Sequence, residues 1–210
     1  MIERKIRAGM MLDFPLPTYN SYANDVDILQ PVPTLYCHVW REGGFSTSRG
    51  VTAGQLYRQG HRNFVWLPYR PGFVTFNALE RGDVLSGPFS GCRMLLLEVN
   101  GVRQVYHVGT VGKADTPETL RTKRAAHALI GNADVTYICG FSPFENFKPP
   151  PDGLPGESVI PRILGLITHN GDMFSILMRK QSGDGNMFRV VDVQAGQPIS
   201  RADALAFFNV

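Results

Sequence analysis

A cysteine and a histidine with strand-like surroundings are the residues of this sequence best suited to joint covalent chemistry. Cys92 begins the run CRMLLLEV, His107 lies within VRQVYHVGTV, and an Asn-Gly pair separates the two runs. Asn-Gly between two strand-like runs is a strong signal for a two-residue hairpin, because both residues tolerate a positive φ. We therefore predict that Cys92 and His107 lie on adjacent strands of one hairpin.

The register of this hairpin determines which side chains share a face. With Asn-Gly as the loop, Cys92 lies opposite Gly109 and His107 lies opposite Met94. Side chains alternate between faces along a strand, so Cys92 and His107 point to the same face as diagonal neighbours. A thiol and an imidazole placed in this way can form the thiolate–imidazolium pair of nucleophilic cysteine catalysis. We also expect Gly109 to leave room above the thiol.

The segment before the cysteine, SGPFSG, predicts a glycine-rich loop. Glycine allows close backbone approach, so Ser90 and Gly91 are candidates for an oxyanion loop in which N–H groups near Gly91 and Cys92 bind the developing charge. A cysteine and a histidine on neighbouring strands also occur as a core residue and a hydrogen-bonded imidazole. The residues alone therefore leave a non-catalytic binding or adaptor module open.

Composition excludes several other classes of protein. The chain has 210 residues, of which 43% are hydrophobic and 19% charged, as in an ordinary globular domain. No apolar run is long enough to span a membrane, and the N-terminus lacks the apolar stretch of a signal peptide. The excess of 3 positive charges is too small to predict nucleic-acid or membrane-surface binding. Neither metal-ligand spacing nor a nucleotide-binding motif occurs, so we expect no metal and no cofactor.

Strands dominate the predicted secondary structure. They are predicted over residues 35–41, 63–67, 73–76, 92–99, 102–111, 135–139, 163–168, 173–180 and 188–193. Helices are predicted after Thr52, after Thr116 and after Ser200, where Asp203 completes a capping box. Residues 1–33 predict an irregular arm, 43–50 a loop, and 142–161 a proline-rich loop. We predict one α+β domain over residues 1–210, a β-sandwich of mixed or antiparallel sheets flanked by a few helices.

Residues 64–109 resemble the catalytic region of the glutamine deamidase toxins, a family that includes the cytotoxic necrotizing factors and the Burkholderia lethal factor. The shared features are W-L-P at residues 66–68, S-G-C at residues 90–92, and a histidine about fifteen positions later, His107. The chemoreceptor glutamine deamidases are more distantly similar. They carry a hydroxyl residue six positions before the cysteine, tending to Thr, and this position is Ser86 here.

The resemblance implies a deamidase-toxin-like β-sandwich and the conversion of a glutamine to glutamate on a host protein. It implies Cys92 as nucleophile, His107 as base, and Ser86, by side chain or carbonyl, as the third member. It further implies a monomeric, cofactor-free hydrolase acting as a virulence toxin or effector. Such a protein is secreted or injected into the host cytoplasm without a cleavable signal peptide, or otherwise stays in the bacterial cytoplasm. Transglutaminase or cysteine-peptidase activity through the same dyad remains an alternative.

Overall fold

The computed structural model describes residues 6–13, 28–31, 35–42, 45–51, 64–79, 82–111, 116–182 and 187–210. The strands are β1 (Met11–Asp13), β2 (Leu29–Pro31), β3 (Leu35–Glu42), β4 (Phe45–Val51), β5 (Phe64–Pro68), β6 (Val74–Ala78), β7 (Asp83–Gly87), β8 (Arg93–Val99), β9 (Val102–Val108), β10 (Val135–Phe141), β11 (Arg162–Ile167), β12 (Met173–Lys180) and β13 (Met187–Ala195). Within these ranges the α-helices are α1 (Pro117–Gly131) and α2 (Arg201–Phe208), and a 3-10 turn covers Glu145–Phe147. The helix predicted after Thr52 lies outside the described residues.

Two mixed sheets contain these strands. The first sheet has the order β1-β13-β12-β11-β7-β5-β3-β4, and a parallel β1/β4 pair joins its two ends. The second sheet has the order β10-β8-β9-β6-β2. Each sheet combines antiparallel and parallel pairing: β1/β4 and β5/β7 are parallel in the first sheet, and β2/β6 is parallel in the second. The predicted α+β class is confirmed, whereas the closure of the first sheet was not predicted.

The two sheets pack face to face and the helices cover the outer face of the second sheet. Alternate residues of β5, β7, β8, β9 and β11 meet in the core between the sheets, among them Leu67, Val84 and Leu96. On the other face of the second sheet, Ile130 of α1 and Phe208 of α2 join a separate buried cluster. Burying one such side chain stabilises the fold by roughly 1.5–3 kcal/mol. The helices therefore hold the second sheet from outside, while the site described below lies between the sheets.

Local signals correctly located the two helix starts. The Thr116 hydroxyl accepts a hydrogen bond from the N–H of Thr119 at 3.2 Å, with proline in the first turn. At the second helix, the N–H of Asp203 donates to the Ser200 hydroxyl at 3.1 Å, and that hydroxyl donates to the Asp203 carboxylate at 2.6 Å. Both caps satisfy N–H groups that a helix start leaves unpaired.

The β8/β9 hairpin has the predicted register. Val99 pairs with Val102 and Met94 pairs with His107. Asn100 has φ 52° and Gly101 has φ 76°, the positive angles that a two-residue loop of this kind requires. The prediction that Cys92 and His107 share a face as diagonal neighbours therefore rests on an observed register.

Three predicted irregular segments contain strands instead. The arm 1–33 contributes β1 to the first sheet and β2 to the second, and Ile6 is buried in the first sheet's own core. Residues 45–51 form β4, which pairs along its whole length with β3. Ser86 lies in β7 rather than in a loop. Pairing with a neighbouring strand overrode the loop-like composition of these segments, because strand formation depends strongly on tertiary context.

The proline-rich segment 142–161 is anchored more firmly than its composition predicts. The guanidinium of Arg179, which is 3% exposed, donates to the carbonyls of Pro151, Ser158 and Val159 at 2.5–2.7 Å. Glu157 forms an ion pair with Arg189. Phe147 of this segment is buried in the core between the sheets. In the described part of the chain, no helix is long and apolar enough to cross a membrane.

Candidate active site

The candidate site joins residues from both sheets. Cys92 stands immediately before β8 and is 3% exposed, and His107 lies on β9 with no exposed surface. Ser86 approaches from β7 of the first sheet and is also fully buried. The structure therefore brings the three residues predicted as catalytic to one region between the sheets.

The hydrogen bonds of Ser86 determine which nitrogen of the imidazole carries the proton. The Ser86 hydroxyl lies 2.6 Å from the carbonyl oxygen of Leu67 and 2.7 Å from Nδ1 of His107. A carbonyl can only accept, so the single hydroxyl proton of Ser86 is donated to Leu67. Nδ1 of His107 must therefore be protonated and donate to Ser86, which leaves Nε2 unprotonated in the neutral ring. The side chain of Ser86, rather than its carbonyl, orients the imidazole.

The W-L-P motif has a structural role in this arrangement. Leu67 of β5 and Ser86 of β7 are partners in the parallel register of the two strands. The carbonyl of the next residue, Pro68, accepts a hydrogen bond from the Thr75 hydroxyl of β6 at 2.8 Å. The Leu67 carbonyl of the motif thus fixes the Ser86 hydroxyl, which in turn orients the imidazole. The Pro68 carbonyl links the first sheet to the second beside the site.

Aromatic rings enclose the imidazole. Phe89 stacks on the His107 ring with centroids 4.2 Å apart and an interplanar angle of 8°, and Tyr69 lies 5.2 Å away on a tilted plane. Burial lowers the pKa of His107 to about 3. Its Nε2 is buried without a hydrogen-bond partner among the described residues. The ring is therefore neutral near pH 7 and presents an unused lone pair, which is the state of a general base.

The thiol of Cys92 contacts Thr110 instead of His107. Sγ lies 3.7 Å from the Thr110 carbonyl oxygen and 3.5 Å from its hydroxyl oxygen. Burial raises the pKa of Cys92, and the hydrogen bond with the Thr110 side chain makes the largest contribution that offsets part of that rise. No hydrogen bond joins Cys92 to His107 across the described ranges, although such contacts often tighten only when substrate binds.

These pKa directions favour a resting state other than the thiolate–imidazolium pair. Desolvation penalises the charged form of each partner, so it raises the pKa of a buried thiol and lowers that of a buried imidazole. Both shifts favour a neutral thiol beside a neutral imidazole. The arrangement suits general-base removal of the thiol proton during attack, rather than a preformed thiolate.

The loop before Cys92 has backbone donors available for an oxyanion. The N–H of Phe89 donates to the carbonyl of Ile163 at 2.8 Å, which fixes the loop to the first sheet. The N–H groups of Gly91 and Cys92 take part in no backbone hydrogen bond with the described residues. A Cβ added to Gly91 would meet nothing within 4 Å, and Ser90 is exposed. The loop is therefore open to its surroundings at Ser90 and Gly91, and its role as an oxyanion loop stays a prediction.

Gly109 has a different role from the one predicted. A Cβ at this position would lie 2.1 Å from the Arg70 carbonyl oxygen and 2.9 Å from that of Phe73. The N–H of Gly109 donates to Phe73 at 2.8 Å, and its carbonyl accepts from the N–H of Gly72 at 2.7 Å. Glycine is needed here because the 70–73 turn crosses the strand end closely, not to leave room above the thiol.

Tyr69, Phe89 and Thr110 are site residues that the sequence analysis did not identify. Thr110 directly follows Gly109, and a strand continued over 102–111 would turn its side chain away from Cys92; because β9 ends at Val108, Thr110 can contact the thiol. Tyr69 and Phe89 belong to stretches already singled out, but only the packing of the sheets reveals that their rings contact His107. The site can thus be extended from three residues to six.

Cys139, His127 and His169, whose side chains the structure describes, lie apart from this site. Cys139 of β10 is half-buried against the core, and burial raises its pKa to about 11. His127 is partly exposed on α1, and Nδ1 of His169 lies 3.1 Å from the Leu79 carbonyl oxygen. His61 lies outside the described residues. Over the ranges that the structure describes, no three His, Cys, Asp or Glu side chains cluster as a metal site would require.

Comparisons with protein-family models, with curated proteins and with solved structures find no match to this chain. The chain is thus an α+β protein with Ser86, His107 and Cys92 between two sheets, and the function proposed below depends on these three residues.

Replacing Ser86 with alanine should release the imidazole from its single tautomer. The change leaves the Leu67 carbonyl and the Nδ1 proton of His107 buried without a partner, and we expect it to lower the free energy of unfolding by roughly 1–3 kcal/mol. Nitrogen-15 NMR of the His107 ring should report one tautomer in the native protein and a mixture in Ser86→Ala. Ser86→Thr keeps the hydroxyl and should keep the tautomer. A single unchanged tautomer in Ser86→Ala would contradict the assignment.

Proposed function

We propose that this protein is a protein-glutamine deamidase that uses Cys92 as nucleophile and His107 as general base. The observation that carries the proposal is the unprotonated Nε2 of a buried imidazole whose tautomer Ser86 fixes, on the same strand face as a cysteine. The resemblance of residues 64–109 to the glutamine deamidase toxins selects the carboxamide of glutamine among the acyl groups that such a site can attack. A hydrolase of this kind needs no metal or cofactor.

The chemistry proceeds in two halves. Nε2 of His107 takes the proton from Cys92 while the sulfur attacks the carboxamide carbon of glutamine. The N–H groups of Gly91 and Cys92 stabilise the oxyanion, each by about 3–4 kcal/mol if they act as donors do in other acyl-transfer sites. Ammonia leaves with the proton from His107. His107 then takes a proton from a water molecule, which hydrolyses the thioester to glutamate. As the sulfur leaves, His107 gives this proton back to it.

The biological role that we propose follows from the same resemblance. The protein acts as a monomeric bacterial toxin or effector with a deamidase-toxin-like fold, and its substrate is a host protein with a reactive glutamine. Secretion or injection into the host cytoplasm is part of this proposal.

The complete burial of His107 and the 3% exposure of Cys92 favour one competing function, a binding module in which the thiol is only a core residue. Transglutamination and peptide-bond cleavage compete within the same chemistry, because an amine can replace water and a peptide bond can replace the carboxamide. The three enzymatic outcomes differ in the mass of the product.

Mass spectrometry of a host-cell lysate distinguishes the three enzymatic activities and the binding module. The lysate is incubated with the native protein or with Cys92→Ser, and peptides are compared. A glutamine peptide that gains one dalton only with the native protein supports the proposal. Amine-adduct masses would indicate transglutamination and new chain ends would indicate a peptidase. Identical peptide maps, across lysates of several host types and with the protein shown to be folded, would favour the binding module.

We infer that the proline-rich segment 142–161 takes part in substrate selection. Its chain leads directly into β11, where the Ile163 carbonyl holds Phe89 over the imidazole. The segment exposes three apolar side chains, Leu154 by 57%, Val159 by 88% and Ile160 by 77%. Recognition residues are often carried by loops fixed to a rigid scaffold, and Arg179 fixes this one.

Changing these three side chains together to serine should weaken substrate binding without unfolding the protein. We expect KM for the protein target to rise about tenfold or more, because remote contacts position the reacting carboxamide. Iodoacetamide alkylation of Cys92 should stay unchanged, and free glutamine should be a very poor substrate of every variant. Val210→Ser, at another exposed apolar position, is the matched control. An unchanged KM would leave the segment as a connection only.

A further inference from the structure

Thr110 presents two different groups to the nucleophile. Its carbonyl oxygen lies 3.7 Å from Sγ of Cys92 and its hydroxyl oxygen lies 3.5 Å from the same atom. The Tyr69 hydroxyl donates to the same carbonyl at 3.2 Å, and the N–H of Thr110 donates to the Val108 carbonyl at 3.1 Å. The backbone of Thr110 is thus held in place just beyond the end of β9.

The two groups suit opposite protonation states of the sulfur. A carbonyl only accepts, so it can bind the proton of a neutral thiol but not a thiolate. A hydroxyl can donate, and a hydrogen bond to an ionised acceptor is stronger than one between neutral groups. In the neutral state the thiol proton therefore points toward the Thr110 carbonyl. Once the sulfur is ionised, the hydroxyl of the same residue can turn its proton to the sulfur.

We propose that Thr110 controls the protonation of Cys92: its carbonyl holds the thiol proton in the resting protein and its hydroxyl stabilises the sulfur as that proton leaves. In this step the S–H bond breaks, the electron pair stays on sulfur, and the proton forms a new bond with Nε2 of His107. The inference deepens the proposed deamidase function and adds a residue that contacts a reacting atom.

The other groups that face the thiol do not replace Thr110. Burial raises the pKa of Tyr69 to about 12, and the charge interaction with Cys92 makes a smaller contribution to that rise. The phenol therefore stays neutral near pH 7. Arg93 lowers the pKa of the thiol by its charge, but its guanidinium lies over the Phe207 ring at 4.0 Å, toward α2. His107 is neutral in the resting state. Across the described ranges, Thr110 supplies the side-chain hydrogen bond to Sγ.

Alkylation of Cys92 by iodoacetamide across the pH range tests this role without any substrate. The pair of variants is Thr110→Val, which removes the hydroxyl at nearly constant volume, and Thr110→Ser, which keeps it. We expect the alkylation profile of Thr110→Val to shift upward by about one pH unit, so that the rate below the pKa falls about tenfold. The plateau at high pH should not change, and Thr110→Ser should stay within about twofold of the native rate at every pH.

Two outcomes would overturn the role of Thr110. One is a Thr110→Val profile that coincides with the native one. The other is a rate that falls equally at all pH values, plateau included, because this would indicate altered access to the thiol. The test separates this inference from the function on which it rests. A shifted profile without deamidation of any protein would retain the role of Thr110 and reject the enzyme, whereas deamidation with an unshifted profile would do the reverse.

Discussion

Cys92→Ser should abolish deamidation while the protein keeps its fold. Serine must be deprotonated from a far higher pKa than cysteine, and the imidazole that would take its proton is a weak base because burial lowers its pKa to about 3. We expect kcat/KM on the protein target to fall by at least about a thousandfold, a barrier increase of roughly 4 kcal/mol. Ammonia release measures the loss.

The fold should tolerate this change because the serine hydroxyl can form both contacts that the thiol makes with Thr110. The matched control is Cys139→Ser, which alters a half-buried thiol of β10 and should leave activity near the native level. Circular dichroism and urea unfolding verify the fold of both variants. If Cys92→Ser released ammonia at the native rate, Cys92 would not be the nucleophile.

Local sequence signals were sufficient for the register of the β8/β9 hairpin. Asn100-Gly101 fixed the β8/β9 register because only residues tolerant of positive φ can form so short a loop, and Met94 pairs with His107 as that register requires. Thr116 and Ser200 located the helix starts through hydrogen bonds within three residues. Each of these predictions depends on neighbours along the chain, which the sequence displays directly.

The remaining features depend on residues far apart in sequence. Ser86 reaches His107 only because β7 pairs in parallel with β5 and the two sheets pack together. The residues of β7, DVLSG, have no local pattern that predicts a strand. The neutral state of the dyad depends on how completely Phe89 and the sheets exclude water from it. Burial is a property of the whole fold and cannot be read from the spacing of two residues. The spacing of Cys92 and His107 therefore suggested a charged pair, whereas their burial favours the neutral forms.

His107→Gln should also eliminate most of the activity, because no other described side chain is placed to take the proton of Cys92. We expect kcat/KM to fall by about a hundredfold to ten-thousandfold, the range typical of a lost general base. His127→Gln on α1 is the matched control and should retain native activity. Loss of activity in the control, with His107→Gln unaffected, would show that the dyad has been assigned to the wrong histidine.

The same pair of variants should respond differently to acid. An unfolded histidine has a pKa near 6.5, whereas burial lowers that of native His107 to about 3. Between these values the unfolded chain binds a proton that the native state does not. The contribution of His107 to stability is therefore fully present above about pH 6.5, and it is lost at up to about 1.4 kcal/mol per pH unit as the pH falls toward 3.

Urea unfolding at about pH 7 and about pH 5 measures this dependence. We expect the native protein to lose roughly 2 kcal/mol more stability than His107→Gln between the two pH values, since the glutamine does not titrate. His127→Gln keeps the buried His107 and should lose as much as the native protein. Equal losses in the native protein and in His107→Gln would mean that the native imidazole accepts a proton readily near pH 6. In that case the resting dyad would be the ion pair that spacing alone predicts, and rapid alkylation of Cys92 at neutral pH would have to accompany it.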